Sequence, residues 1–184
     1  MAEKQIAIIG NGPSRDIYQR KNFDGEVCIC NIPQIKIDYD YISIVDRKAM
    51  DYIHNNNLKF NKPILTTPQL QKEVLKYNIK GLEGCYINKL MNSAATAAFY
   101  FSFHKNYDRI WLFGCNALWS EETSSSQDEL IPRPRRAANL HKQWRDNWQK
   151  VWATGNQFVI VYPYGETPVD YGKNVVWYTA KRQD

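Results

Sequence analysis

Ile6 Ala7 Ile8 Ile9 Gly10 Asn11 Gly12 Pro13 Ser14 is the stretch that sets the fold: four apolar residues in a row run straight into a glycine-containing turn. An unbroken, mostly β-branched run without polar alternation is what a strand buried on both faces requires, and such strands belong to the middle of parallel sheets. Gly10 and Gly12 let the backbone turn sharply. Pro13 preorganises the entrance of a short helix containing Ile17 and Tyr18, which Ser14 is placed to cap. The chain returns as Val27 Cys28 Ile29 Cys30 and stops at Asn31, completing a strand-turn-helix-strand unit.

The alternation continues outward from that unit. Tyr41 to Val45 reads as a strand ending at Asp46, Lys48 to Asn55 as a helix, Pro63 to Thr67 as a strand and Leu70 to Tyr77 as a helix. Ser93 to His104 holds alanines and aromatics with almost no charge, as suits a helix pressed against a sheet, and leads through Asp108 and Arg109 to the strand Ile110 to Phe113. Residues 120–136 are polar, serine- and proline-containing and aperiodic; a connection of that length inside a compact domain is read as a mobile lid. Leu140, Trp144, Trp148, Val151 and Trp152 then mark one face of a helix over 137–153, ended by Gly155, and the strands Phe158 to Tyr162 and Val175 to Tyr178 close the chain. Strands alternating with helices on short connections predict the α/β class: a single Rossmann-like domain over 1–184, with a mainly parallel sheet, helices on both faces and a lid segment.

Composition agrees with that reading. The 184 residues, 43% hydrophobic, suit one globular domain with a real core. No apolar run approaches the length that crosses a bilayer, and the N-terminus lacks the features of a signal peptide, so a cytoplasmic setting is expected. Four cysteines are too few for a disulfide scaffold, and Cys28, Cys30 and Cys115 lie in apolar runs where free thiols pack as small hydrophobes. A metal site built from Cys28 and Cys30 with Cys85 or Cys115 is the alternative, but the tight Cys-x-x-Cys pairs of structural zinc sites are missing, so no metal is expected. The net charge of +5 is spread along the chain, which favours phosphate-bearing ligands without the basic stripe of a nucleic-acid binder.

In a sheet of this kind ligands collect outside the carboxyl ends of the strands. Asn11, Asn31, Asp46, Thr66 and Asn116 all stand at such ends. In the first turn the glycines permit close backbone approach, and free amides at the following helix start would attract phosphate oxygens. The turn is neither the Gly-x-Gly-x-x-Gly fingerprint nor a Walker loop, and its plainer reading is a tight strand-to-helix connection without ligand.

The motifs and their order resemble the bacterial sialyltransferases of glycosyltransferase family 42, whose chains also open with a strand followed by Gly-Asn-Gly-Pro-Ser. Cys30 Asn31 is similar to that family's Cys-Asn, Asn92 Ser93 Ala94 to its Thr-Ser-Gly, and Tyr107 through Phe113 Gly114 Cys115 Asn116 to its strand ending in Gly-Ile-Asp. The resemblance spans roughly Ile6 to Pro163 and rests on short motifs in a shared order. It implies binding of a CMP-sugar or related nucleotide, with no further cofactor, by Gly10, Asn11, Gly12, Pro13, Ser14, Asn31, Asn92, Ser93, Gly114 and Asn116. It also implies a segment over 120–136 that covers the nucleotide, and His141 as the base. The archaeal-type hydroxymethylpterin diphosphokinases share a similar opening turn.

Departures from the family are visible too. Where its tyrosines hold the departing phosphate, this chain reads Ala117 Leu118 Trp119 and has no tyrosine before Tyr162; Arg133, Arg135 or Arg136 would have to substitute. Asn116 stands for the family's aspartate, and a counterpart of the family's membrane-associating C-terminal portion is not expected. Other residues have plainer readings: Asp46 as a helix cap rather than a ribose or cation ligand, His54 and His104 as helix-end residues, and Trp144, Trp148 and Trp152 as core or dimer packing rather than a stacking platform. The basic set Arg133, Arg135, Arg136, Lys142 and Arg145 would contact nucleic-acid phosphates or flank the lid. The leading expectation is a nucleotide-sugar-dependent glycosyltransferase, and a homo-oligomer is a further expectation. The alternatives are a non-catalytic nucleotide-binding accessory module and, less favoured, a nucleic-acid binder.

Overall fold

Ile6, Ala7, Ile8 and Ile9 are buried on both sides, and the strand they form is the hub of one continuous parallel sheet. A computed structural model of the chain describes residues 1–32, 36–76, 82–84, 92–121 and 138–179. These residues form eight strands: β1 (Gln5–Ile9), β2 (Glu26–Cys30), β3 (Tyr41–Ser43), β4 (Ile64–Thr66), β5 (Leu82–Gly84), β6 (Arg109–Phe113), β7 (Phe158–Tyr162) and β8 (Val175–Thr179). The order is β5-β4-β3-β2-β1-β6-β7-β8, and every neighbouring pair is parallel. The expected α/β, Rossmann-like architecture is therefore present, and β5, which no apolar run announces, is added to the expected strands.

Side chains alternate along β1, and the core divides accordingly. Ile6 and Ile8, with Cys28 and Cys30, face a layer made by α3 (Ser93–Phe103) and α4 (Ala138–Trp152). Ala7 and Ile9, with Val27 and Ile29, face Ala49, Met50 and Ile53 of α1 (Arg47–Asn55). A second helix, α2 (Gln71–Lys76), neighbours α1. Helices thus cover both faces, and α3 buries nearly all of its length, which explains why its sequence carries alanines in place of charge.

From β1 the chain winds outward as far as β5, then crosses back through α3 to lay β6 on the other side of β1. The strand order reverses between β1 and β6, which opens a crevice at their carboxyl ends. No helix among the described residues is long and apolar enough to cross a membrane. Residues 122–136 of the expected lid, with Arg133, Arg135 and Arg136, lie outside the described residues.

Candidate functional site

A cavity of about 190 Å³ occupies that crevice. Its wall takes Gly10, Asn11 and Gly12 from the end of β1, Asn31 from the end of β2, Asn92 and Ser93 from the start of α3, and Gly114 and Asn116 from the end of β6. Of the ten residues named for nucleotide binding, these eight line it and Pro13 and Ser14 do not. Thr66 is fully buried in β4 and also stands apart from it.

The first turn works differently from the expectation. Pro13–Ile17 is a 3-10 helix whose cap position is Gly12, not Ser14, and no side chain caps it. The amides that were to meet a phosphate are held by β6 and its extension: Gly10 N donates to Phe113 O at 2.7 Å, Gly12 N to Gly114 O at 2.8 Å, and Ser14 N to Asn116 Oδ1 at 3.1 Å. Gly12 is needed for that close approach rather than for a ligand, since a Cβ there would lie 2.5 Å from Gly114 O. Ser14 Oγ also donates to Asn116 Oδ1, at 2.6 Å. Because a backbone N–H can only donate, these bonds fix the Asn116 amide with its oxygen on Ser14, which leaves its nitrogen as the donor end of the side chain.

Asn11 is similarly committed. Its Nδ2 donates to Cys30 O at 2.6 Å, and its Oδ1 accepts from the buried Arg15 guanidinium at 3.2 Å. It ties the first turn to β2 and shapes the wall, and its amide keeps a second N–H and a second lone pair beside these two bonds. Asn31 adopts φ +51°, a left-handed conformation that asparagine tolerates better than most residues. Its backbone N–H donates to Ser43 O at 2.9 Å.

The helix start at the cavity belongs to α3. Asn92 caps it by accepting from Ala95 N at 2.8 Å, while Ser43 Oγ donates to Ser93 O at 2.7 Å and pins the first turn to β3. An α-helix leaves its first amides without intrahelical acceptors, and its N-terminus carries partial positive charge. Those amides lie beside Ser93 and Ala94, which both line the cavity. Asn92→Ala is expected to lower unfolding free energy by about 1 kcal/mol through loss of the cap, read as a fall in the denaturant midpoint at constant slope.

Asp46 caps α1, accepting from Lys48 N at 3.0 Å, and also lines the cavity. Trp148 and Trp152 are core, 1% and 6% exposed, with rings stacked 5.0 Å apart. Trp144 is half-buried and, with Trp148, forms the α4 side of the cavity. Trp144 was readable as wall: a helix that follows a parallel strand starts at the carboxyl edge, so its first turns face the ligand side. Arg145 is half-buried and holds the segment after β6, donating from Nε to Ala117 O at 2.7 Å. His141 falls in the first turns of α4, and its side chain lies outside what is described.

Cys28, Cys30 and Cys115 are buried free thiols. Burial, then the neighbouring Cys30, pushes the Cys115 thiol up, so it stays protonated near neutral pH and is a poor nucleophile although it lines the cavity. Among the described residues no three histidine, cysteine or acidic side chains are grouped to hold a metal ion; Cys85 lies outside them.

No protein-family model, curated protein or solved structure matches the chain. The functional assignment therefore rests on the chemistry of the cavity.

Proposed function

We propose that this chain binds a nucleotide in the cavity between the ends of β1 and β6 and uses it as the carrier of an activated sugar. The observation that carries the reading is convergence: segments 10–12, 31, 92–94 and 114–117, far apart in sequence, bring amide, hydroxyl and backbone donors to one crevice where the strand order reverses. The phosphate belongs at the first turn of α3 rather than at the turn after β1, whose Gly10, Gly12 and Ser14 amides are already bonded. At about 190 Å³ the described wall suits one moiety of a nucleotide sugar, since pockets for whole drug-sized ligands run to roughly 300–1,000 Å³.

The reaction proposed is an inverting glycosyl transfer in the cytoplasm. The acceptor oxygen bonds to the anomeric carbon as the bond from that carbon to the nucleotide phosphate oxygen breaks; the nucleoside monophosphate leaves with the electron pair, and His141 takes the acceptor proton. His141 precedes Trp144 and Trp148 by three and seven residues, a spacing that sets the three positions on one helix face. Purified protein should transfer or hydrolyse a cytidine-activated sugar, and His141→Ala should slow turnover about 100-fold while nucleotide binding, measured calorimetrically, persists. Absence of turnover with any activated sugar would retire the enzyme.

One observation favours a second reading, a non-catalytic nucleotide-binding module. The described wall holds neither tyrosine nor a cationic side chain to stabilise a departing phosphate. Binding of CMP without turnover selects the module; binding of neither CMP nor any other nucleotide rejects both readings.

A further inference from the structure

The acid in the cavity wall has a use beyond capping, and this inference rests on the nucleotide reading above. Asp46 lies just past β3, and the amide of Lys48 donates to its Oδ1 at 3.0 Å. That cap fixes the side chain's direction, and a carboxylate so engaged keeps a second oxygen as acceptor. Asp46 also lines the cavity, alongside asparagines, a serine, glycines and apolar residues, and it is the one residue of the described wall with a formal charge at neutral pH. A negative group at that point repels phosphate and attracts a neutral group rich in O–H donors. The part of a nucleotide that fits is the vicinal diol of the ribose, which offers two adjacent O–H donors to the acceptor.

We infer that Asp46 accepts hydrogen bonds from the ribose diol and makes the site selective for ribonucleotides over 2′-deoxyribonucleotides. Removing the 2′-hydroxyl deletes a bond to a charged acceptor, so the parent protein is expected to bind CMP about tenfold or more tightly than 2′-deoxy-CMP. The effect is a ratio and does not depend on catalysis.

The test is calorimetric titration with two pairs, CMP and 2′-deoxy-CMP, and AMP and 2′-deoxy-AMP, so that base preference does not mask the sugar. Asp46→Ser keeps a capping oxygen with a shorter reach and should bring the ribo-to-deoxy ratio to within about twofold. Asp46→Asn keeps the cap and loses the charge, should compress the ratio partway, and serves as the readout if the serine variant does not fold. Equal affinities within each pair for the parent, or a ratio unchanged in both variants, overturn the inference and leave the nucleotide reading standing. Failure of the parent to bind all four overturns it together with that reading.

Discussion

Gly114→Ala is expected to destabilise the domain by about 3–4 kcal/mol, seen as a fall of roughly 10 °C in melting temperature. Gly114 has φ +66°, where a Cβ costs about 1–2 kcal/mol by itself. The crowding is worse: an added Cβ would overlap Gly10 O, lie 3.0 Å from Gly10 C and 3.1 Å from Arg15 Cβ. Backbone surrounds it, so no flexible side chain can swing aside. The two segments are laced together by Gly10 N on Phe113 O and Gly12 N on Gly114 O, and separating them strains both bonds, each worth about 1 kcal/mol. Gly155→Ala is the control. It shares a positive φ, +80°, but has nothing within 4 Å of the added Cβ, so it should show only the conformational part. A Gly114→Ala melting point within about 2 °C of the Gly155→Ala value would mean that the approach of the two turns is not rigid. Since Gly10, Gly12 and Gly114 frame the cavity, nucleotide affinity should fall with stability in the first variant and not in the second.

What the sequence made legible follows from how far apart the interacting groups lie. The runs in β1, β2, β6 and β7 are continuous and apolar because both faces of those strands are covered, and that property can be read one segment at a time. The asparagines at strand ends were legible for the same reason. The phosphate geometry was not. Whether an amide after β1 is available depends on Asn116, 102 residues further on, and nothing local to Gly10–Ser14 discloses that partner. Asn11 shows the same limit: its residue type suits a ligand, and nothing local discloses that Cys30 O and Arg15 each take one of its amide's bonds. The strand β5 escaped because Leu82–Gly84 is three residues with one glycine and one acid, too short for any periodicity. Asp46 was legible only in part; its cap is a local event, whereas its place in the cavity wall depends on α3 and α4 arriving from elsewhere.

Trp148→Ala should cost about 3–5 kcal/mol and weaken nucleotide binding at the same time, because one side chain belongs to both the core and the site. Trp148 is 1% exposed and among the largest fully buried side chains. Its ring stacks on Trp152 at an interplanar angle of 19°, and Trp152 in turn packs edge-on against Phe158 of β7, so truncation leaves a void that neighbours held in the same stack cannot fill. The cavity side matters as much. Trp148 lines the space in which a ligand would sit, and its loss merges the void with the site, removing contact surface and admitting water. Trp148→Phe separates the two effects: it keeps an aromatic ring against Trp152, should recover most of the stability, and should recover less of the affinity. Equilibrium denaturation and CMP titration on both variants give the two numbers. A Trp148→Ala protein that loses stability yet binds CMP as tightly as the parent would place the nucleotide away from α4, and with it the role proposed for His141.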